Sequence, residues 1–229
     1  MNENSDPPVW VPSVLEMAMA QVAVLRDPLP TDHPLDAIFV HATPFTADEP
    51  DQDLLRKVAA LHLGGKVSNI VITGLPSRPP YRGAAKCRAD LCDSGVSEGL
   101  IHSISEAKHT ATETIAFMEM AKRMGWSRLT VSSQAHHQLR VFLQAVAVIK
   151  TMEFWPKVWN FTNEIGWNHR GLSKVQFDKS WNVIGSVDTD LGGHIREELE
   201  RIKKYAQPPP VVDGKAAYTR HATIPEMLA

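Results

Sequence analysis

LTVSSQAHHQLRVFLQAVAVI, residues 129–149, carries the reading on which the fold depends. Its first five residues are β-forming and short enough for a buried strand, and from His136 the apolar residues fall at helical spacing, which predicts a helix over 136–149. The same strand-then-helix pair recurs upstream. AIFVHA (37–42) precedes DQDLLRKVAALHL (51–63), which stops at Gly64-Gly65. NIVIT (69–73) ends at Gly74 and precedes a helix over 83–93. A weaker strand over 100–105 precedes a helix over 110–124, closed by Gly125. Four β-then-α units predict an α/β fold with a parallel sheet and right-handed crossovers.

Outward from these units the pattern loosens. A polar, Pro-broken start leads into a short amphipathic helix over 11–25, expected to pack on the sheet, and Pro28, Pro30 and Pro34 hold an extended connector. After Lys150, MEFWPKVW (152–159) reads as a fifth strand near an edge because Pro156 interrupts it. Residues 160–190 read as loop, 191–206 as a helix stopped by Pro208-Pro209-Pro210, and the last nineteen residues as an extended tail. Taken together, 1–229 reads as one domain, with a core over 36–150 and an extension over 151–229 that completes or covers it.

Composition bounds the function. The 229 residues are 43% hydrophobic and 22% charged, which is ordinary for a globular core, and a formal net charge of −2 provides no basic field for nucleic acid or an anionic membrane. The start MNENSDPPVW lacks the pattern of a signal peptide, and no apolar run approaches the ~18 residues of a membrane span. Cys87 and Cys92, five apart on one expected helix, do not face each other, so a disulfide is not expected. A cytoplasmic protein is the simplest expectation. The stripe Phe117, Met118, Met120 and Met124 reads as packing. Trp155, Trp159, Trp167 and Trp181 read as packing or a homodimer face, with a lid over the site as a further alternative.

In open parallel sheets, ligands bind beyond the carboxyl ends of the strands. There this chain places His41 and Thr43 after the first strand, and Thr73, Gly74, Arg78 and Arg82 after the second. Ser105 and Glu106 follow the third, and Ser132, Ser133, Gln134, His136 and His137 the fourth. Gly74 would admit a phosphate close to the backbone, although Thr73-Gly74 is more often an ordinary strand-to-loop turn. Ser132-Ser133 fits helix capping as well as ligand contact, and both can hold together. Glu106 fits helix initiation, ribose binding or a base. His137 and Arg140, three apart, share a helix face and would meet one anionic group together. No GxGxxG, Walker lysine, HExxH or CxxC is present, so no dinucleotide, P-loop or zinc signature supports those assignments and no metal is expected.

In order and spacing these features resemble the YdcF-like family, which includes SanA and ElyC proteins (domain of unknown function 218). The resemblance covers about half the chain. It rests on Asp36-Ala37-Ile38-Phe39-Val40, a helix bearing Arg56, Thr73-Gly74-Leu75, Glu106 with Thr112, and Val131-Ser132-Ser133 before His137-Gln138-Leu139-Arg140. It implies a Rossmann-like three-layer α/β/α core with a mostly parallel sheet, to which the sequence pattern adds an N-terminal helix and a C-terminal helical and loop extension. It also implies a pocket for a nucleotide-type ligand, with S-adenosylmethionine or another adenosine nucleotide as cofactor. The chain departs from the pattern at His41-Ala42, where the family runs into Leu-Gly, and at Leu75, where it has a second glycine. The family's opening acid of the next helix is missing near Gly83, where Arg82 stands. The spacing from Ser132 to His137 is one residue longer, which makes His136 an alternative counterpart.

The resulting expectation is an enzyme, a transferase or hydrolase, acting on a nucleotide-type or phosphorylated small molecule. His137 or His136, with a pKa near neutrality, would be general acid/base, assisted by Glu106. Thr73, Gly74, Ser132 and Ser133 would donate hydrogen bonds, Arg140 would stabilise negative charge, and Arg78 and Arg82 would meet a phosphate or carboxylate. His41, Thr43 and Thr112 complete the expected ligand-binding set. The alternative is a binding or regulatory module without turnover.

Overall fold

The computed structural model describes residues 13–26, 28–41, 50–77, 83–105, 107, 109–162, 172–177, 183–189, 191–206, 211–212 and 215–216. Five strands, β1 (Leu35–Val40), β2 (Val67–Ile72), β3 (Ile101–Ser103), β4 (Arg128–Ser133) and β5 (Lys157–Thr162), pair in parallel in the order β3-β2-β1-β4-β5. The helices are α1 (Val14–Arg26), α2 (Pro50–Leu63), α3 (Gly83–Asp93), α4 (Thr110–Met124), α5 (Gln138–Met152) and α6 (Leu191–Ala206). This is a Rossmann-like α/β/α arrangement, with the reversal of strand order between β1 and β4.

Strand alternation builds the three layers. Ala37 and Phe39 of β1 and Leu129 and Val131 of β4 pack with Phe117, Met118 and Ala121 of α4 and with Val141, Ala145 and Val148 of α5. Their neighbours Leu35, Ile38 and Val40, with Ile70 and Ile72 of β2, pack with Leu54, Leu55 and Val58 of α2 and Leu91 of α3. Period-two alternation thus feeds two cores, one on each face, which is why these strands read as continuous apolar runs. Phe39 and Phe117 stack at 4.9 Å between ring centroids, tying β1 to α4. Met124, expected to pack with Phe117, is instead 53% exposed in the last turn of α4, while Ala121 and Trp126 on either side of it are buried in the core.

At the amino-terminal ends of the two central strands, Asp36 joins β1 to β4. Its Oδ2 accepts from the backbone N–H groups of Ser127 (2.7 Å) and Arg128 (2.9 Å), fixing the entry of β4 beside β1. The Arg128 guanidinium donates to Asp32 at 3.1 Å and lies over the Trp159 ring, 5.2 Å from its centroid.

Several expectations change outside the core. Helix α1 begins at Val14, initiated by the exchange of hydrogen bonds between Ser13 and Glu16. Its buried residues Met17, Ala20 and Val24 pack on Leu139 and Leu143 of α5 and Ile202 of α6, and the helix also lies against the edge strand β5, so it reaches the sheet at that edge. The segment expected to start a fifth strand at 152 finishes α5 instead, with Glu153 left-handed at its end (φ 49°). The strand starts after Pro156 and lies on the sheet edge. Residues 160–190 are not all loop: β5 runs to Thr162, and β6 (Leu172–Phe177) pairs antiparallel with β7 (Val183–Thr189). The tail likewise contains the short antiparallel pair β8 (Val211–Val212) and β9 (Lys215–Ala216). Both pairings close between nearby segments through backbone hydrogen bonds, which need no apolar run to announce them. Trp155 is 70% exposed and Trp159 is partly buried, whereas Trp167 and Trp181 lie outside the described residues. Cys87 and Cys92 form no disulfide, and none of the described helices is long and apolar enough to cross a membrane.

Candidate functional site

β1 ends at Val40, and the next residue, His41, donates its backbone N–H to the Ser132 carbonyl of β4 at 2.9 Å. His41 therefore stands at the point where strand order reverses, the place where neighbouring crossovers leave toward opposite faces and open a crevice. Following the alternation of Ala37 and Phe39, its ring faces α4 and α5. The ring meets Phe39 edge-on at 4.3 Å between centroids and lies 6.4 Å from the ring of His137.

From α4, Glu113 reaches this ring: His41 Nδ1 and Glu113 Oε2 are 3.1 Å apart, and both residues are buried. A carboxylate can only accept, so the hydrogen bond places the His41 proton on Nδ1 and leaves a lone pair at Nε2. Among the described residues, His41 Nε2 and Glu113 Oε1 have no hydrogen-bond partner. A buried polar atom without a partner costs about 1–3 kcal/mol, and this dyad carries two of them.

Beside the dyad lies a second cluster. Arg140 of α5 donates from Nε to Glu198 Oε2 of α6 at 2.5 Å, from one terminal nitrogen to Thr110 Oγ1 at 3.0 Å, and from the other to His137 Nδ1 at 2.8 Å. Arg201 donates to Glu198 Oε1 at 2.7 Å. Because Arg140 can only donate, the His137 proton belongs on Nε2, and the 3.1 Å approach of Glu198 to His137 Nδ1 is a contact between two acceptors of the same guanidinium. Burial, reinforced by the Arg140 charge, pushes the His137 pKa down to about 3. A pKa near neutrality is thus overturned: His137 is neutral across the physiological range. Burial likewise lowers His136 to about 4 against the opposing pull of Glu198. The His136 ring stacks on His194 of α6 at 4.7 Å, and its Nδ1 has no partner among the described residues. Burial alone would raise the Glu198 pKa, but the Arg140 charge and its hydrogen bonds more than offset it and hold the carboxyl well below the usual range.

The anion expected to meet Arg140 is therefore present, supplied by the chain itself, while His137 accepts from the same guanidinium and does not bind the anion. Other expected ligand contacts are engaged internally. The Ser132 hydroxyl donates to the Phe39 carbonyl at 2.9 Å, and the Ser133 hydroxyl to Gln138 Oε1 at 2.8 Å. Gln138 passes the network on to the Val131 carbonyl and Asn160. Neither serine caps α5, because a turn over 135–137 separates it from β4 and puts His137 at the cap position. Thr112 is exposed, and its hydroxyl bonds the backbone of His109 at the start of α4, which makes it a helix-initiating residue. Thr73 is buried at the end of β2, its hydroxyl accepting a long bond from the Leu75 N–H, and Gly74 follows it, partly buried. Glu106, Thr43, Arg78 and Arg82 lie outside the described residues.

Sequence reasoning missed Glu113, Glu198, Thr110 and Arg201. Glu113 had a usable signal, an acid in the first turn of a helix that begins at the sheet's carboxyl edge. Glu198 had none, since it lies 61 residues from His137 on a helix whose docking the pattern does not specify. A separate cleft of about 560 Å³ lies over α2 and α3, lined by Leu55, Arg56, Ser77, Lys86 and Asp90 among others. Its lining comes from the helix layer opposite α4 and α5, so it is not the His41–Glu113 site. No group of three or more His, Cys, Asp or Glu placed to hold a metal occurs among the described residues.

No family model matches the sequence, and no curated protein matches it. Among solved structures, glucose-6-phosphate 1-dehydrogenase from Mycobacterium avium is similar at a TM-score of 0.37 and 12% identity over 75% of this chain. The match spans 35% of the length of that structure.

Proposed function

We propose that the protein is an enzyme acting on a nucleotide-type or phosphorylated small molecule bound beyond β1 and β4, with His41 as the proton-transfer group. The ligand class rests on the YdcF-like resemblance, with S-adenosylmethionine or another adenosine nucleotide within it. The chemistry rests on one observation: Glu113 fixes the His41 tautomer while His41 Nε2 is left without a partner among the described residues. A buried imidazole oriented by a carboxylate can take a proton from a bound ligand at Nε2 and return it later in the cycle. Glu113 would stabilise the imidazolium formed in between. In this reading His137 is a neutral positioning residue, the protein works in the cytoplasm, and its partners are small molecules, with neither nucleic acid nor a membrane involved.

A thermal-shift panel of S-adenosylmethionine, adenine nucleotides and sugar phosphates identifies the ligand, since saturation at about 100 times Kd is worth roughly 2.7 kcal/mol. His41→Gln should then retain binding and lose turnover, by about 100-fold or more. Product formation at the wild-type rate in His41→Gln would refute the assignment. One observation favours the second reading, a binding module without turnover: the His137 imidazole and the Ser132 and Ser133 hydroxyls are engaged inside the protein. That reading requires the ligand to be recovered chemically unchanged.

A further inference from the structure

We propose that Arg140, with Arg201 and His137 beside it, forms a subsite for a phosphate-like anion of the ligand, and that Glu198 fills this subsite until the ligand displaces it together with α6. The inference rests on the proposed function, because it names where the ligand's charged group sits relative to His41.

The carboxylate of Glu198 makes the contacts a phosphoryl group would make. One oxygen takes the Arg140 Nε–H at 2.5 Å. The other takes Arg201 at 2.7 Å and a second Arg140 nitrogen at 3.4 Å. Arg140 is anchored to Thr110, the first residue of α4, and to His137, the cap position of α5, so the anion lies beside two helix starts. An anion held there would be close to the proton acceptor, since the His137 and His41 rings are 6.4 Å apart. The dyad itself contributes the second, independent sign of a ligand, namely two buried polar atoms unpartnered among the described residues.

The helix that brings Glu198 is held lightly by apolar contact. Of its described residues, only Ile202 and the half-buried Leu199 join the cluster with α1 and α5. Its other described contacts with the core include the His194–His136 ring stack and the ion pair of Glu198 with Arg140, and it is this ion pair that another anion could replace. Removing Glu198 without replacement would strand the charge of a largely buried Arg140, whereas an incoming anion keeps that charge paired while Glu198 regains water. In the proposed exchange Arg140 stays paired in both states, with Glu198 released when a suitable anion takes its place.

The test uses the full chain and inorganic phosphate, with chloride at equal ionic strength as the control for screening. Glu198→Gln keeps the shape and removes the competing charge. It should bind phosphate about tenfold tighter than wild type by calorimetry. Equal affinity in a variant shown to be folded by circular dichroism would overturn the proposal. Should Glu198→Gln fail to fold, hydrogen exchange of the wild-type chain decides: phosphate should speed exchange over 191–206, and unchanged exchange at high phosphate overturns the idea. His41→Gln separates the two claims, because it should leave phosphate binding intact. Loss of the anion effect with a functional His41 defeats only the subsite, and normal turnover in His41→Gln defeats only the proton-transfer role.

Discussion

The buried, neutral state of His137 makes the protein acid-labile in a calculable way. An exposed histidine in the unfolded chain takes a proton near pH 6.5, whereas burial and Arg140 hold the folded His137 at about 3. Between those values the unfolded state binds the extra proton, so stability falls as pH falls and is fully present only above the unfolded pKa. Each pH unit in the window is worth about 1.4 kcal/mol. Going from about pH 7.5 to about pH 5 therefore removes roughly 2 kcal/mol through this one residue. The figure is insensitive to the folded value, because any folded pKa well below 5 leaves the site unprotonated at the end of the scan. Against a typical total of about 5–15 kcal/mol this is a large loss. The control is His137→Asn, whose amide oxygen can accept from Arg140 and does not titrate. Urea denaturation across this pH range should show a wild-type curve steeper than the variant's by about 2 kcal/mol. Parallel curves would refute the argument, since they would mean that His137 titrates alike in both states.

Two further outcomes follow from geometry outside the site. Asp36→Ala removes the acceptor of two backbone N–H groups at the entry of β4 and should cost about 3 kcal/mol, with Asp36→Asn costing about half, read as shifts in the urea midpoint. Gly83 and Gly125 both have positive φ (77° and 71°), but a Cβ at Gly83 would lie 2.3 Å from the Ser77 nitrogen, whereas none meets an atom within 4 Å at Gly125. Gly125→Ala should therefore cost about 1 kcal/mol and Gly83→Ala roughly 3 kcal/mol or more, and equal costs in thermal unfolding would contradict the packing at Gly83.

The core was legible because its signals are local. NIVIT and LTVSS are apolar β-forming runs, found as β2 and β4; the stretch after LTVSS has the helical spacing of α5, and Gly125 stops α4 where the sequence places a helix end. The hairpins β6–β7 and β8–β9 were not, because short pairs held by backbone bonds leave only a broken alternation in the side chains. At the site, His41, His137 and Arg140 were legible as residues at strand ends and helix starts. Their roles were not. Whether Ser132 faces a ligand or the Phe39 carbonyl depends on the register of β4 against β1, which no residue type announces.

Periodicity alone determined that this chain makes a parallel sheet with helices on both faces, because burial of alternate residues on each strand demands a cover for each side. It also brought His41 and His137 to one edge, since strand ends share that edge in any parallel sheet. Only the tertiary structure decided the chemistry there. It docked α6 so that Glu198 meets Arg140, and it buried His137 beside that cation. Proton affinity depends on desolvation and on charges a few ångströms away in space, and neither quantity is a property of neighbours along the chain.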